Sequence, residues 1–425
     1  MSGSDAHRAI EMVWRIEAPR LIAGLTRLTR DVGRAEELAQ EALVAALAQW
    51  PDNGVPRNPG AWLMQVGKRR GLDALRHESI IAGKRDEIDH SVLTDRLDEP
   101  DLDEALDDAI GDDRLTLIFT ACHPVLPREA RLALTLKLLC GLTTGEIARA
   151  FLVPEATMAQ RIVRAKKTLS AAAPPYEVPQ GEELGRRLAS VLEVVYLIFN
   201  EGYAATAGED WVRPGLCEEA MRLGRILAGL APREPEVHGL VALMELQASR
   251  LRARIGRDGL PILLLDQDRA RWDHLLIGRG LAALARGERL AGGLPGPFLL
   301  QAALAACHAR ARTPSETDWG QIAALYCVLA RIAPSPIVEL NRAVAVGMAE
   351  GPAAGLALVD RLLGEPGLAR YHLLPSVRGD LLDKLGRYAE AADAFEQAVG
   401  LTGNASEKRV MQARAEAARL RAVSA

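Results

Sequence analysis

Residues 142–169 constrain the fold more tightly than any other stretch of this sequence. Thr143 precedes Glu146 by three residues, which is the capping-box spacing that begins a helix. Pro154 ends this first helix near Val153, and a proline also suits the first turn of the next helix. The sequence therefore predicts two helices joined by a tight turn, a helix-turn-helix.

The second helix of this pair has one apolar and one basic face. Its apolar side chains recur at helical spacing and should pack inward; they are Met158, Ile162, Ala165 and Leu169. The other face carries donors that suit a helix in the major groove of DNA. These candidates are Thr157, Gln160, Arg161, Arg164, Lys166 and Lys167. We expect Arg161 and Gln160 to reach base edges and the others to contact phosphates.

Composition narrows the fold class. The chain has 425 residues, enough for two to four domains, and only 4% of them are aromatic. It is rich in Ala, Leu, Arg and Glu, which favours an all-α protein.

The sequence also indicates where the protein acts. Apolar runs stay below the ~20 residues of a membrane span, and the N-terminus lacks the basic-then-apolar order of a signal peptide. The five cysteines lie far apart in the sequence. We expect a cytoplasmic protein with reduced thiols and no membrane contact.

Charge is unevenly distributed along the chain. Residues 86–113 hold thirteen acidic side chains and one basic, whereas residues 114–170 hold nine basic and three acidic. Such asymmetry favours basic modules that meet nucleic acid, joined by a segment with another task. Mutual repulsion and Pro100 predict that this acidic linker is extended. A simple solvated tether is the alternative.

Two more amphipathic helices precede the acidic segment. From Asp31 to Leu43, apolar residues face inward and an acidic face points outward. After Pro59 a second helix combines basic residues with an aromatic one, a pattern that suits a DNA backbone and an unstacked base. Its candidates are Trp62, Lys68, Arg69, Arg70, Asp73 and Arg76. The alternative places Trp62 in the core and leaves the charges solvated.

About 250 residues follow Pro175 and form a third part. Near its end the chain follows the spacing of a tetratricopeptide repeat, at Gly386, Tyr388, Ala391, Phe395 and Ala398. A degenerate unit surrounds Gly351. Four earlier stretches predict helical hairpins of the same kind; they are residues 183–199, 218–230, 237–254 and 271–285.

Polar clusters in this third part do not indicate catalysis. Residues 200–203 and 266–274 contain carboxylates, and the latter a histidine, but acids at helix ends and hydrogen bonds between helices are commoner than acid-base or metal sites. The adjacent Cys-His pairs lack the spacing of zinc ligands, and no nucleotide-binding or hydrolase motif occurs. We expect no enzymatic activity, no metal and no cofactor.

The two modules resemble parts of bacterial sigma factors. Residues 132–169, with the Glu146-Ile147-Ala148 core, resemble region 4, which reads the −35 promoter element. The helix beginning near Asp31 and the one from Ala61 to Arg76 resemble region 2, which docks on the β′ coiled coil of RNA polymerase and melts the −10 element. The polymerase-binding residues that this implies are Asp31, Glu36, Glu37, Gln40 and Glu41.

The whole chain resembles the extracytoplasmic-function sigma factors that carry a tetratricopeptide-like C-terminal extension. The resemblance implies region 2 at 1–78, an acidic linker at 79–112, region 4 at 113–172 and a regulatory extension at 176–425. It also implies RNA polymerase core (β′ coiled coil and β flap) and promoter DNA as partners, with an unidentified regulatory protein or ligand at the extension. The alternative is a helix-turn-helix regulator with a helical sensor domain that acts without polymerase.

Overall fold

The computed structural model describes residues 3–81, 113–151, 153–204, 212–256 and 260–424. Within these ranges the regular elements are helices, and the only bridge of β type joins Ile255 to Pro261, which confirms the all-α prediction. The predicted acidic linker lies outside the described residues from position 82 onward. Packing divides the chain into two compact units, Met1–Val194 and Val195–Ala425.

The first unit begins with a bundle of three helices, here called the N-terminal module. They are α1 (Gly3–Thr29), α2 (Val32–Asn53) and α3 (Pro59–Ile81). Asp31 begins α2, because its side chain accepts a hydrogen bond of 2.8 Å from the Arg34 N–H. Leu38, Ala42 and Ala45 are buried as the pattern predicts. Helix α3 continues past residue 78, the predicted end of the domain.

A second group of helices, residues 113–172, is here called the helix-turn-helix module. Its helices are α4 (residues 113–121), α5 (Arg128–Leu138), α6 (Thr144–Ala150) and α7 (Glu155–Ala172). The predicted capping box is present: Thr143 Oγ1 accepts from the Glu146 N–H at 3.1 Å, and Glu146 Oε2 accepts from the Thr143 N–H at 2.7 Å. The predicted end near Val153 is wrong, because α6 stops at Ala150.

Helix α8 (Gly181–Tyr203) begins in the first unit. The boundary between the two units lies after Val194, inside this helix; the start of the extension at residue 176 stays a prediction. The chain between residue 176 and Val194 contacts the rest of the first unit, through Tyr176, Arg187 and Ser190.

The second unit continues as a succession of helices. They are α9 (Pro214–Leu230), α10 (Pro235–Ala248), α11 (His274–Ala291), α12 (Pro297–Arg310), α13 (Trp319–Ile332), α14 (Pro336–Ala349), α15 (Pro352–Arg361), α16 (Leu373–Lys384), α17 (Tyr388–Leu401) and α18 (Ala405–Ser424). The predicted helix 237–254 is too long, because a separate 3-10 turn follows α10 at Leu251–Ala253. The predicted start at 271 is also wrong, because the Asp273 side chain accepts from the N–H groups of Leu275 and Leu276 and begins α11 there.

The last helices enclose a hydrophobic core at the positions of the predicted tetratricopeptide repeat. Phe395 and Ala391 are fully buried between α16, α17 and α18. Gly386 stands in the turn before α17 with φ +76°, a conformation that favours glycine. Gly351 takes φ +108° in the corresponding turn before α15. The turns therefore lie where the spacing placed them.

Candidate nucleic-acid interface

The basic face of α7 stands on a buried apolar stripe. Met158, Ile162, Ala165 and Leu169 are at most 4% exposed, so the stripe packs as predicted. Of the DNA-binding candidates, Thr157, Gln160, Arg164 and Lys167 are exposed, whereas Arg161 and Lys166 are half-buried. The first half of α7 thus presents hydroxyl, amide and guanidinium groups together to solvent.

The candidates on α3 occupy different environments. Arg69, Arg70 and Asp73 are exposed, and Lys68 is half-buried. Trp62 is half-buried and packs edge-on against Trp50, with ring centroids 5.3 Å apart. The Trp62 ring therefore packs partly in the core, as the alternative interpretation predicts, and is partly accessible to solvent. Arg76 lies in the helical part of α3, but its side chain is outside the described residues.

The outward face of α2 carries acidic side chains and, next to them, an exposed apolar side chain. Glu37, Gln40 and Glu41 are exposed as predicted, and Glu41 forms an ion pair of 2.9 Å with Arg70 on α3. One turn further, Val44 is 62% exposed. Sequence reasoning missed this valine, although an apolar residue at i+3 from an exposed acid was the available signal. An apolar patch beside carboxylates is a common feature of protein-binding surfaces.

Glu36, a predicted polymerase-binding residue, is buried instead of exposed. Its side chain accepts from Gln40 Nε2 at 3.1 Å, and its Oε1 lies 3.9 Å from Lys137 Nζ on α5. Its Oε2 forms an ion pair with Lys166, a predicted DNA-binding residue on α7. The structure therefore joins one candidate from each predicted surface in a single contact.

A second contact accompanies this ion pair. Burial pushes the pKa of Asp31 upward, but hydrogen bonds from the Arg34 N–H, the Ser170 hydroxyl and the Gly33 N–H outweigh it and hold that pKa below its usual value. Ser170 lies on α7. The beginning of α2 thus lies against the C-terminal half of α7.

The segment after α7 also contacts both modules. The Tyr176 hydroxyl lies 3.0 Å from the Ala23 carbonyl oxygen of α1 and 3.2 Å from the Asp113 carbonyl oxygen of α4, and shares its proton between them. Burial and the nearby Asp113 carboxylate raise the pKa of Tyr176, so the hydroxyl remains a donor. Arg27 on α1 adds an ion pair of 3.4 Å with the same Asp113.

The first half of α8 is part of the helix-turn-helix module's core. Arg187 is buried and donates to the Phe119 carbonyl oxygen at 3.0 Å, near the C-terminal end of α4. Ser190 donates to the Cys122 carbonyl oxygen at 2.9 Å and accepts from Arg131 on α5. These groups satisfy carbonyls that a helix end leaves without partners. The sequence pattern alone did not reveal them, because the partners are about 70 positions apart.

The polar clusters of the second unit form hydrogen bonds within the fold. Glu201 pairs with Arg213 at 2.5 Å, and Tyr203 accepts from Arg250 at 2.6 Å. Asp273 begins α11. Across the described ranges, no group of three or more His, Cys, Asp or Glu side chains is placed to hold a metal ion. No helix in the described part of the chain has the length and apolar character to cross a bilayer.

Comparison with known proteins agrees with this geometry. Residues 14–80 match the family model for Sigma-70 region 2, and residues 116–169 match the one for Sigma-70, region 4. Residues 187–288 match a family of unknown function (DUF6596). An uncharacterized protein of Rhizobium meliloti (strain 1021) is 47% identical over 390 residues, which cover 92% of this chain and 91% of that protein.

These matches coincide with the modules already described. The region 2 match covers most of the N-terminal module, the region 4 match runs from inside α4 to inside α7, and the third match begins inside α8. Region 2 and region 4 in this order, followed by a helical extension, confirm the resemblance that the sequence motifs indicated. The chain belongs to the sigma-70 family as a sigma factor of the extracytoplasmic-function type with a C-terminal extension, and it directs promoter-specific transcription with RNA polymerase core and promoter DNA as its partners.

Proposed function

We propose that the two modules divide promoter reading and polymerase docking as follows. The exposed face of α7 reads the −35 element, the exposed face of α3 with Trp62 reads and melts the −10 element, and the outward face of α2 docks on the β′ coiled coil. Support comes from exposure: Gln160 and Arg164 on α7, Arg69 on α3 and Glu37 on α2 all point to solvent from well-packed helices. Rigid helices of this kind hold contact groups in fixed register.

The α7 face is further proposed to separate base contacts from phosphate contacts. Replacing Arg161 by alanine should weaken discrimination among −35 sequences, since a bidentate base contact contributes ~1 to 3 kcal/mol. Replacing Lys167 by alanine should weaken binding to all sequences. It should also reduce the slope of log affinity against log salt concentration by about one. Binding of the holoenzyme to promoter variants at several salt concentrations measures both effects. Identical behaviour of the two variants would refute this division.

The helical extension is proposed to control the activity of the sigma modules. One observation carries this proposal: α8 fills part of the core of the helix-turn-helix module through Arg187 and Ser190, and the same uninterrupted helix ends at Tyr203. An event that shifts α8 therefore acts on the module that carries the −35 reading face. Covalent attachment keeps the extension at high effective concentration near that module.

Transcription in vitro tests this control. The full chain is compared with a chain that ends after α8, since that shorter form keeps the contacts of Arg187 and Ser190. We expect the two proteins to differ in promoter-specific transcription or in affinity for core polymerase. Equal values of both quantities would show that the extension does not regulate the sigma modules.

A further inference from the structure

We propose that the second unit contains a binding site for a phosphate group, built around Arg250, Arg269 and the indole of Trp272. The site lies beside Tyr203, the last residue of α8. This inference goes beyond the proposed control of the sigma modules, which names no ligand.

Guanidinium groups and aromatic rings alternate through this part of the second unit. The guanidinium carbon of Arg254 lies 3.5 Å from the centroid of the Tyr203 ring, and that of Arg250 lies 5.8 Å from the same centroid. The guanidinium carbons of Arg250 and Arg269 lie 5.7 Å and 5.0 Å from the centroid of the Trp272 ring. Three cations are thus gathered around two aromatic rings, at distances typical of cation–π contacts.

Two of these cations are bonded to neutral acceptors. Arg250 donates to the Tyr203 hydroxyl at 2.6 Å. Arg269 donates to two main-chain carbonyl oxygens at 2.8 and 2.6 Å, and to the Thr317 hydroxyl at 2.9 Å. Glu316, the acid that acts on Arg269 electrostatically, is exposed and forms no ion pair with it. Within the ranges that the structure describes, neither guanidinium is paired with a carboxylate.

The excess of positive charge also acts on the neighbouring groups. Burial, together with Arg250 and Arg269, lowers the pKa of His308 to about 4. Burial and the charge of Arg250 likewise lower the pKa of Arg269. Buried cations that repel one another are unfavourable unless an opposite charge compensates them. A bound anion would supply that charge.

Two N–H groups of the cluster lack an acceptor. Trp272 Nε1 and Arg269 Nε are buried, and neither has a hydrogen-bond partner in the described part of the chain. The two residues are 4% and 8% exposed. An indole and a guanidinium can only donate hydrogen bonds, so only an acceptor satisfies them. Both donors therefore point to an anionic ligand.

The charge and the number of donors favour a phosphate group over other anions. A phosphate monoester carries a charge of roughly −1.5 to −2 at pH 7 and three acceptor oxygens. That charge matches the two guanidinium groups that lack a carboxylate, whereas a carboxylate or a chloride ion carries a single charge. Arginine also binds phosphate through two parallel N–H groups. The ligand is thus free phosphate or the phosphate group of a small metabolite.

Calorimetric titration of the full chain tests the site. The probes are inorganic phosphate, glycerol 3-phosphate and acetate, each added at constant ionic strength in chloride. We expect saturable binding of inorganic phosphate, and binding of acetate at least about tenfold weaker, because acetate brings less charge to the two guanidinium groups. Equally tight binding of glycerol 3-phosphate would assign the site to phosphate esters, and binding of inorganic phosphate alone would assign it to the free ion. Absence of binding by both phosphate probes, or equal binding of acetate, would overturn the proposal.

Two variants locate the binding on these residues. Trp272→Phe keeps an aromatic ring, removes the N–H donor and should weaken phosphate binding about tenfold, the effect of one hydrogen bond to a charged acceptor. Arg250→Gln removes a cation and should weaken binding at least about tenfold. Arg252→Gln is the matched control, because Arg252 is exposed and lies two positions away. If Trp272→Phe and Arg250→Gln bound phosphate as tightly as Arg252→Gln, the site would be refuted. The assay contains no polymerase, so its outcome is independent of the proposed function.

Discussion

Replacing Arg187 with methionine tests whether the first helix of the extension completes the fold of the helix-turn-helix module. The guanidinium donates to the Phe119 carbonyl oxygen at 3.0 Å and lies 5.9 Å from the centroid of that ring. It also pairs with Glu183 at 3.3 Å. Methionine keeps much of the aliphatic volume and removes the donor.

The size of the effect follows from these contacts. The Glu183 side chain is 59% exposed, so its ion pair contributes little. The Phe119 carbonyl is near the C-terminal end of α4, where a lost donor leaves a buried acceptor unsatisfied at a cost of ~1 to 2 kcal/mol. Local opening of this part of the module should therefore become about 5- to 30-fold more frequent.

Alkylation of Cys122 measures that opening. This thiol is 1% exposed, and burial raises its pKa to about 11, so it reacts mainly when the surrounding structure opens. The rate of its modification, followed by peptide mass spectrometry, should rise in Arg187→Met. Arg186→Met is the control, because Arg186 is the neighbouring arginine on α8 and is exposed. Equal rates in the two variants would refute the role of α8 in this core.

Three further predictions concern the docking surface and the second unit. Changing Glu37 and Glu41 to lysine should abolish core binding in pull-down experiments while lowering the melting temperature only slightly, because both side chains are exposed and the Glu41–Arg70 ion pair lies at the surface; retained binding would contradict the docking role. Burial, with Arg250 and Arg269 nearby, lowers the pKa of His308 to about 4. Between pH 6.5 and 4 the unfolded chain thus binds a proton that the folded chain does not. The free energy of unfolding should therefore fall by up to ~1.4 kcal/mol for each unit by which the pH is lowered in this range. The measured slope should shrink in His308→Gln, and an unchanged slope would exclude this histidine. Phe395→Ala should destabilise the last repeat by ~3 to 5 kcal/mol in thermal unfolding, and Phe395→Leu by much less; similar losses would argue against a packed core there.

Local features of the sequence were sufficient for several parts of the fold. The capping box of Thr143 and Glu146 lies within one helical turn, so its hydrogen bonds depend on neighbours in the chain. The turn at Gly386 depends on the backbone freedom of a single residue. Helix ends were less predictable: α10 stops at Ala248 and α11 starts after Asp273, where short-range patterns had indicated longer or earlier helices.

The sequence by itself determined that this chain is all-α, where its helix-turn-helix begins and which sides of its helices are apolar, because periodicity and capping are local properties. Only the tertiary structure decided which surface each polar side chain meets. Glu36 and Glu37 are adjacent acids, yet one is buried against Lys166 and the other faces solvent. Helical periodicity points neighbouring residues in different directions, but the identity of the partner depends on how helices distant in the chain come together. The bridge made by Tyr176 was hidden from sequence reasoning for the same physical reason.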